Sequence, residues 1–343
     1  MYWEWLAHWV RSFVVLSEFD RELRLAGVFC NRIGSRSHLN LLREAVTQPP
    51  VIGGLPNDPA LTFPERHLGL RTADEHAVPD SILAALGEAV GQWCDLEAIL
   101  TAANSAATLE NELSAGANAL STPRCRIGIA FDEAFHFYYE YNLNLLRSLG
   151  AELRHFSLIS DRKLPDLDGL YVGGGYPELH AEALSANHSM REQIAAFAAR
   201  GGTIYGECGG LIYLSCAITT LEGQTYPMAG VIPAQAIVRE RLQALGYVEV
   251  ETRSDSILGP AGLRFRGHKF RYSELKPLTG DLDCAYRLVR RRDGQVMPEG
   301  YRLKNLLASY VHAHWASNPP LAEGPVEACA RGANGEQHEH AGQ

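Results

Sequence analysis

The sequence has no C-x-x-C pair and no regular spacing among its seven cysteines, Cys30, Cys94, Cys125, Cys208, Cys216, Cys284 and Cys329. In a chain of 343 residues that argues against a disulfide framework or a zinc site and leaves buried thiols, with room for one reactive thiol. No GK[ST] tripeptide occurs anywhere, so the phosphate loop G-x-x-x-x-G-K-[ST] is missing. Long apolar runs are missing too. The aromatic start, residues 1–16, is broken by Glu4, His8 and Arg11. It lacks the basic-then-apolar order of a secretory leader and is too short and polar to span a bilayer, so no membrane association and a cytoplasmic location are expected. Positive charge is scarce: Lys+Arg 31 against Asp+Glu 40 gives a formal net charge of −9, which excludes a broad basic face and with it a nucleic-acid partner. There is no internal repeat. What is present, 46% hydrophobic and 21% charged residues with 32 Gly and 17 Pro, is the composition of an ordinary globular enzyme and excludes a disordered or fibrous chain. The length suits about two domains.

The first third alternates strand-like and helical patterns: LAGVFC (25–30) as a strand, SHLNLLREAV (37–46) as a helix, VIGGLP (51–56) as a strand and residues 79–103 as helical. Residues 104–123 are small and polar and read as a linker. A second unit follows, with strands at RIGIAF (126–131), ELRHFSLI (152–159) and LDGLYVGGG (167–175), helices at 140–150 and 188–202, and a strand, sharp turn and helix start in TIYGECGGLIYL (203–214). This order predicts a doubly wound, mostly parallel α/β sheet. From 225 to 315 shorter apolar runs predict added antiparallel strands. The Gly- and Ala-rich end reads as disordered. The resulting division is 1–103, a linker at 104–124, a main domain at 125–320 and a tail at 321–343.

Gly206-Glu207-Cys208-Gly209-Gly210 sits where a strand turns into a helix. Glycines there permit a strained turn that lifts a thiol to the carboxyl edge of a sheet, next to a helix N-terminus that favours thiolate. The bland alternative is a small buried cysteine beside a glycine turn. Gly173-Gly174-Gly175 ends another strand, and its bare N–H groups are suited to a developing oxyanion, with the Gly209 N–H as a second donor; a plain tight strand-to-helix turn is the alternative, and a phosphate loop is disfavoured because no G-x-x-x-x-G-K-[ST] and no lysine just after the glycines are present. Roughly 100 residues past the cysteine, Ser309-Tyr310-Val311-His312-Ala313-His314 places two histidines on one side of a strand. Either is able to serve as the base; a structural histidine, or an H-x-H metal pair without a third ligand, are the alternatives, and no metal is expected.

AFDEAFHFYYEYNLNLL (130–146), LDGLYVGGGYPELHAEAL (167–184), YGECGGLIYLS (205–215), RGHKFRYSEL (266–275) and SYVHAHWASNP (309–319) resemble, in that order, the cobyrinate a,c-diamide synthase family. That family carries a class I glutamine amidotransferase domain of the cobyric acid synthase type. Residues 25–46 and 53–70 resemble the second half of its ATP-using, dethiobiotin synthetase-like α/β domain, so the N-terminal unit is expected to be a partial domain of that kind. The resemblance implies that Cys208 is the glutaminase nucleophile and His312 its activating histidine. Gly174, Gly175 and Gly209 are implied to hold the oxyanion, and Asn31 to recognise adenine. It implies glutamine and a corrinoid or other tetrapyrrole as substrates, and ATP with Mg²⁺ as cofactors. Asp132, Glu133, Tyr138 and Tyr139 are expected to face the domain junction or the tetrapyrrole.

Three departures qualify this. The phosphate-loop half of the family's ATP domain has no counterpart, so a separate chain bearing it is expected to complete the ATP chemistry, and a partner chain or self-association is expected to cover the sheet edge before about residue 100. His314 stands where related amidotransferases have an orienting glutamate. Lys269 and Arg271 stand where the family commonly has Glu and His, in a strand expected to face substrate. The functions in contention are amidation of the a and c acetates of cobyrinate, amidation of a related tetrapyrrole such as hydrogenobyrinate or a nickel sirohydrochlorin, and a non-catalytic partner-binding scaffold.

Overall fold

The structure, a computed structural model, describes residues 19–20, 23–46, 48–62, 78–108 and 122–340. The aromatic start, the part of segment 53–70 beyond Thr62, and residues 109–121 of the segment read as a linker lie outside the described residues. The chain forms two compact units, Met1–Glu112 and Leu113–Gln343.

In the first unit, β1 (Val28–Ile33) and β2 (Val51–Pro56) pair in parallel, joined by helix α1 (Arg36–Ala45), whose start is capped by the Ser35 hydroxyl accepting from the His38 N–H. Leu39 and Leu42 of α1 bury against Val28, Cys30, Ile33 and Val51. Two further helices, α2 (Asp80–Trp93) and α3 (Leu96–Asn104), follow.

In the second unit the crossovers build a parallel run of strands. β3 (Cys125–Ala130), β5 (Ala151–Phe156), β6 (Gly169–Val172), β8 (Thr203–Glu207) and β17 (Leu306–Ser309) lie in the order β17-β8-β6-β3-β5. Alternation along each strand feeds two cores: Leu170, Val172 and Ile204 face one side, Tyr171 and Tyr205 the other. The first side is covered by α6 (His188–Ala199) through Met190, Ile194 and Phe197. The second is covered by α4 (Glu140–Ser148) through Leu143 and Leu146. These connections make the domain a doubly wound α/β fold.

The same sheet continues past β17 with antiparallel strands β16 (Val296–Leu303), β15 (Cys284–Arg290), β12 (Ala244–Thr252), β13 (Arg264–Arg271) and finally β18 (Val311–His314). Only Tyr310 separates β17 from β18 along the chain, yet four strands lie between them in the sheet. The antiparallel half therefore curls back on itself, and Val250, Phe265, Tyr286, Leu288, Val311 and Ala313 fill the curl. Curling delivers β18 to the carboxyl end of β8. Two short strands, β4 (Phe135–Phe137) and β7 (Gly174–Gly175), pair antiparallel at that same end.

The segment expected to be a disordered tail is instead helical: α8 spans Glu323–His340. Its composition is polar and small, but Ala322, Val326 and Cys329 fall at helical spacing and are buried against the second core, where α8 lies over β3, β6 and β8. Val326 is 0% exposed, so Val326→Ala should cost about 2 kcal/mol through lost burial and a residual cavity. A thermal melt in which that variant matches wild type would show that the helix is not docked.

Candidate active site

β8 hands the chain to a one-and-a-half-turn helix, α7 (Gly209–Leu214), and the residue at the joint is Cys208, with φ 47° and ψ −97°. A side-chain-bearing residue rarely adopts a positive φ, and here it marks a nucleophile elbow. The turn is held by the Cys208 N–H donating to Ser309 O at 2.7 Å and the Gly210 N–H donating to Gly173 O at 2.9 Å. Glycine is required at 210 because a Cβ would lie 2.0 Å from Val172 O. The thiol lies 3.6 Å from Phe270 O and lines a pocket with His312, Glu178, Gly175, Arg271 and Ser273.

Electrostatics keep both reacting groups neutral at rest. Burial pushes the Cys208 thiol up to about 12, helped by the negative charges of Glu178 and Glu207 and opposed by the Gly209 N–H and by Arg271. Burial likewise holds the His312 imidazole down to about 4, with His268 adding to the effect. A neutral imidazole beside a neutral thiol is competent as a general base, taking the thiol proton as sulfur attacks.

The expected oxyanion glycines converge. A Cβ on Gly209 would lie 3.0 Å from Gly175 N, and one on Gly174 would lie 2.4 Å from His312 Cε1. The Gly209 N–H faces the thiol. Gly174 is therefore the floor on which the imidazole rests, as well as part of the strand beside the thiol.

His314 does not do what its place in the sequence suggested. It shares a face of β18 with His312, but its ring lies against Tyr139 (4.6 Å between centroids) and Tyr141 (5.7 Å), and among the described residues it makes no hydrogen bond to His312. The side chains that hold β18 are two that the sequence reading passed over. Glu207, 1% exposed, accepts from the Ala313 N–H (3.0 Å), the Tyr205 hydroxyl (2.9 Å) and the Tyr171 hydroxyl (2.8 Å). Buried Asn142 of α4 donates to Ala313 O (2.8 Å) and accepts from the Trp315 N–H (3.0 Å). Signals for both were present: a glutamate ending a buried strand, and an asparagine four residues before Leu146 on the apolar stripe of a helix.

The other residues singled out in the sequence take the following positions. The Asp132 carboxylate accepts from the N–H groups of Ala134, Phe135, Leu158 and Ile159 and from the Ser157 hydroxyl, so it clamps two loops together and has no lone pair left for a substrate. The Tyr138 hydroxyl bridges Ala130 O and the Gly173 N–H. Glu133 is exposed, and Tyr139 precedes α4 with its ring on His314. Lys269, expected to face substrate, is 5% exposed inside the curl, with Nζ 4.0 Å from Met297 Sδ; burial lowers its pKa, while the negative charge of Glu299 works in the opposite direction. Arg271 does line the thiol pocket.

Residues 1–112 contain no lysine, and no group of three His, Cys, Asp or Glu among the described residues is arranged to hold a metal. Asn31 is exposed, and its Oδ1 accepts from the neighbouring Arg32 N–H at 2.9 Å. No helix of the described residues is long and apolar enough to cross a membrane.

A thiol on a strand-to-helix elbow, a neutral imidazole on the same pocket and a doubly wound sheet beneath them define a glutamine amidotransferase, and residues 126–320 match the CobB/CobQ-like glutamine amidotransferase domain. The chain is 50% identical to the cobyrinate a,c-diamide synthase of Leptospira interrogans serogroup Icterohaemorrhagiae serovar Lai over 92% of its own length and 69% of that protein. It is 41% identical to the cobyrinate a,c-diamide synthase of Syntrophotalea carbinolica over 91% and 69%. The chain belongs to the cobyrinate a,c-diamide synthase family. Among solved structures, one described as a glutamine amidotransferase aligns at 22% identity and TM-score 0.44 over 59% of this chain and 98% of that one.

Gly174→Ala should press on the His312 ring and lower kcat for glutamine hydrolysis about 100-fold, with a melting curve close to wild type. Unchanged kcat would mean that the imidazole does not need this floor. A second expectation concerns Glu207, which burial raises to about 7 despite its three hydrogen bonds. A carboxyl whose folded pKa exceeds the ordinary 4.5 contributes stability that is full below that value and lost as the pH rises through 7. Glu207→Gln, neutral throughout, should therefore gain on wild type by something on the order of 3 kcal/mol across that window. Parallel pH–stability curves for the two proteins would refute the raised carboxyl.

Proposed function

We propose that the chain releases ammonia from glutamine for amidation of the a and c acetate carboxylates of cobyrinate in cobalamin biosynthesis. The observation that carries this reading is Cys208 at the strained joint between β8 and α7, lining one pocket with His312. His312 takes the thiol proton and Sγ bonds to the side-chain carbonyl carbon of glutamine. The oxyanion so formed is met by the Gly209 N–H beside the Gly174–Gly175 strand. Collapse expels nitrogen, which leaves as ammonia with the proton returned by His312 and a glutamyl thioester on Cys208. Water, deprotonated by the same imidazole, then cleaves the thioester to glutamate and free thiol.

Activation of the corrinoid carboxylate by ATP would be completed by a separate phosphate-loop-bearing chain. Free glutamine as the nitrogen source suits a cytoplasmic setting.

Purified chain should hydrolyse glutamine. Cys208→Ala should reduce the rate to background and His312→Gln should reduce it about 1,000-fold. A residual rate indifferent to Cys208→Ala would overturn the reading.

A further inference from the structure

Several arginines of the second unit are tied to carboxylates: Arg126 to Asp166 and Asp168, Arg239 to Glu274, Arg302 to Asp283. Arg271 is different. It ends β13 on the wall of the thiol pocket, and among the described residues it makes no ion pair. Its guanidinium lies over the Tyr310 ring, 4.4 Å from the centroid, and Nη1 donates to Ser273 O. Tyr310 is itself fixed, 1% exposed and with its hydroxyl 3.0 Å from Ser273 Oγ. The cation is thus held in place by an aromatic face and one carbonyl, while its Nε is buried without any partner. A guanidinium carries five donors in a rigid fork suited to a carboxylate, and a buried donor left unpaired is costly. Arg271 itself lines the pocket that has to admit the substrate.

We propose that Arg271 determines specificity for the amino-acid end of glutamine by binding its α-carboxylate, so that the side-chain amide is held at Cys208. This deepens the glutaminase reading and rests on it. Glutamine carries an α-carboxylate, and Arg271 is the one Lys or Arg among the residues lining the pocket. Charge alone suggests a competing role: Arg271 also favours the thiolate of Cys208. The two roles differ in what they predict for a substrate without a carboxylate. A carboxylate-binding arginine matters only when the carboxylate is there, whereas a thiolate-stabilising one matters for every amide that Cys208 attacks.

The experiment compares glutamine, glutaramate (no α-amino group) and 4-aminobutanamide (no α-carboxylate) as substrates of the full-length chain and of Arg271→Gln and Arg271→Lys, following ammonia release. Wild type should use glutamine and glutaramate well and 4-aminobutanamide poorly. Arg271→Gln should lower kcat/KM for the two carboxylate-bearing substrates by about 10- to 100-fold, mainly through KM, and leave 4-aminobutanamide within about threefold. Arg271→Lys, which keeps the charge and loses the fork, should fall between them. Equal losses on all three substrates, or none, would overturn the assignment of Arg271 while leaving the glutaminase reading intact. Absence of glutamine hydrolysis by wild type would overturn both. Should Arg271→Gln fail to fold, the substrate ranking in Arg271→Lys decides: loss of preference for the carboxylate supports the proposal and an unchanged preference refutes it.

Discussion

β18 is an edge strand, and an edge strand leaves a row of backbone donors and acceptors without partners. On one side β18 pairs with β13; on the other, where a further strand would lie, its groups are satisfied by two buried side chains. Glu207 takes the Ala313 N–H, and Asn142 takes Ala313 O and the Trp315 N–H. The two residues act as a substitute strand. Glu207 directly precedes the nucleophile and Ala313 directly follows the base, so one hydrogen bond from the Ala313 N–H to the Glu207 carboxylate spans the site. Tyr171, stacked on Trp315, and Tyr205, tilted against it, supply the donors that keep the carboxylate in place. The placement of β18, and with it of His312, therefore depends on two buried side chains whose polar groups are fully engaged.

Burial has two consequences at this site that pull in different directions. Excluding water raises the thiol and lowers the imidazole, which disfavours the ion pair in the resting enzyme. The same exclusion strengthens every hydrogen bond offered to charge that develops during attack. A resting site of this kind holds an inert thiol until a substrate brings its own carbonyl and charges into the pocket.

Much of this was legible in the sequence, for identifiable reasons. The elbow could be read because Gly206, Gly209 and Gly210 flank Cys208 between two apolar runs, and only tight strand-to-helix packing asks for that many glycines; the Cβ that Gly206 lacks would lie 2.8 Å from Leu214 Cδ1. The parallel strands could be read from short apolar runs alternating with helices. His314 was misjudged because identity at a position two residues past the base says nothing about which neighbours surround it, and here Tyr139 and Tyr141 occupy that side. Lys269 was misjudged because the inside of a curled sheet depends on pairings distant in sequence: β12, β13, β15 and β16 must all be in register before its interior is defined. The last helix was missed because its buried residues are small, so their spacing carries little hydrophobic contrast against Gly and Ala neighbours.

The curl of the sheet also sets an order of events. Cys208 follows β8, whose neighbour β6, with β3 and β5 beyond it in the sheet, precedes it in the chain. Its base arrives only with β18, after the whole antiparallel half has been laid down, and β17, the remaining neighbour of β8, comes just before it. During synthesis the nucleophile therefore emerges well ahead of any group able to activate it, and contacts this distant in sequence form late in folding. A nascent or truncated chain that stops short of Val311 presents an ordinary protonated thiol, so ammonia release begins only in molecules whose sheet has closed.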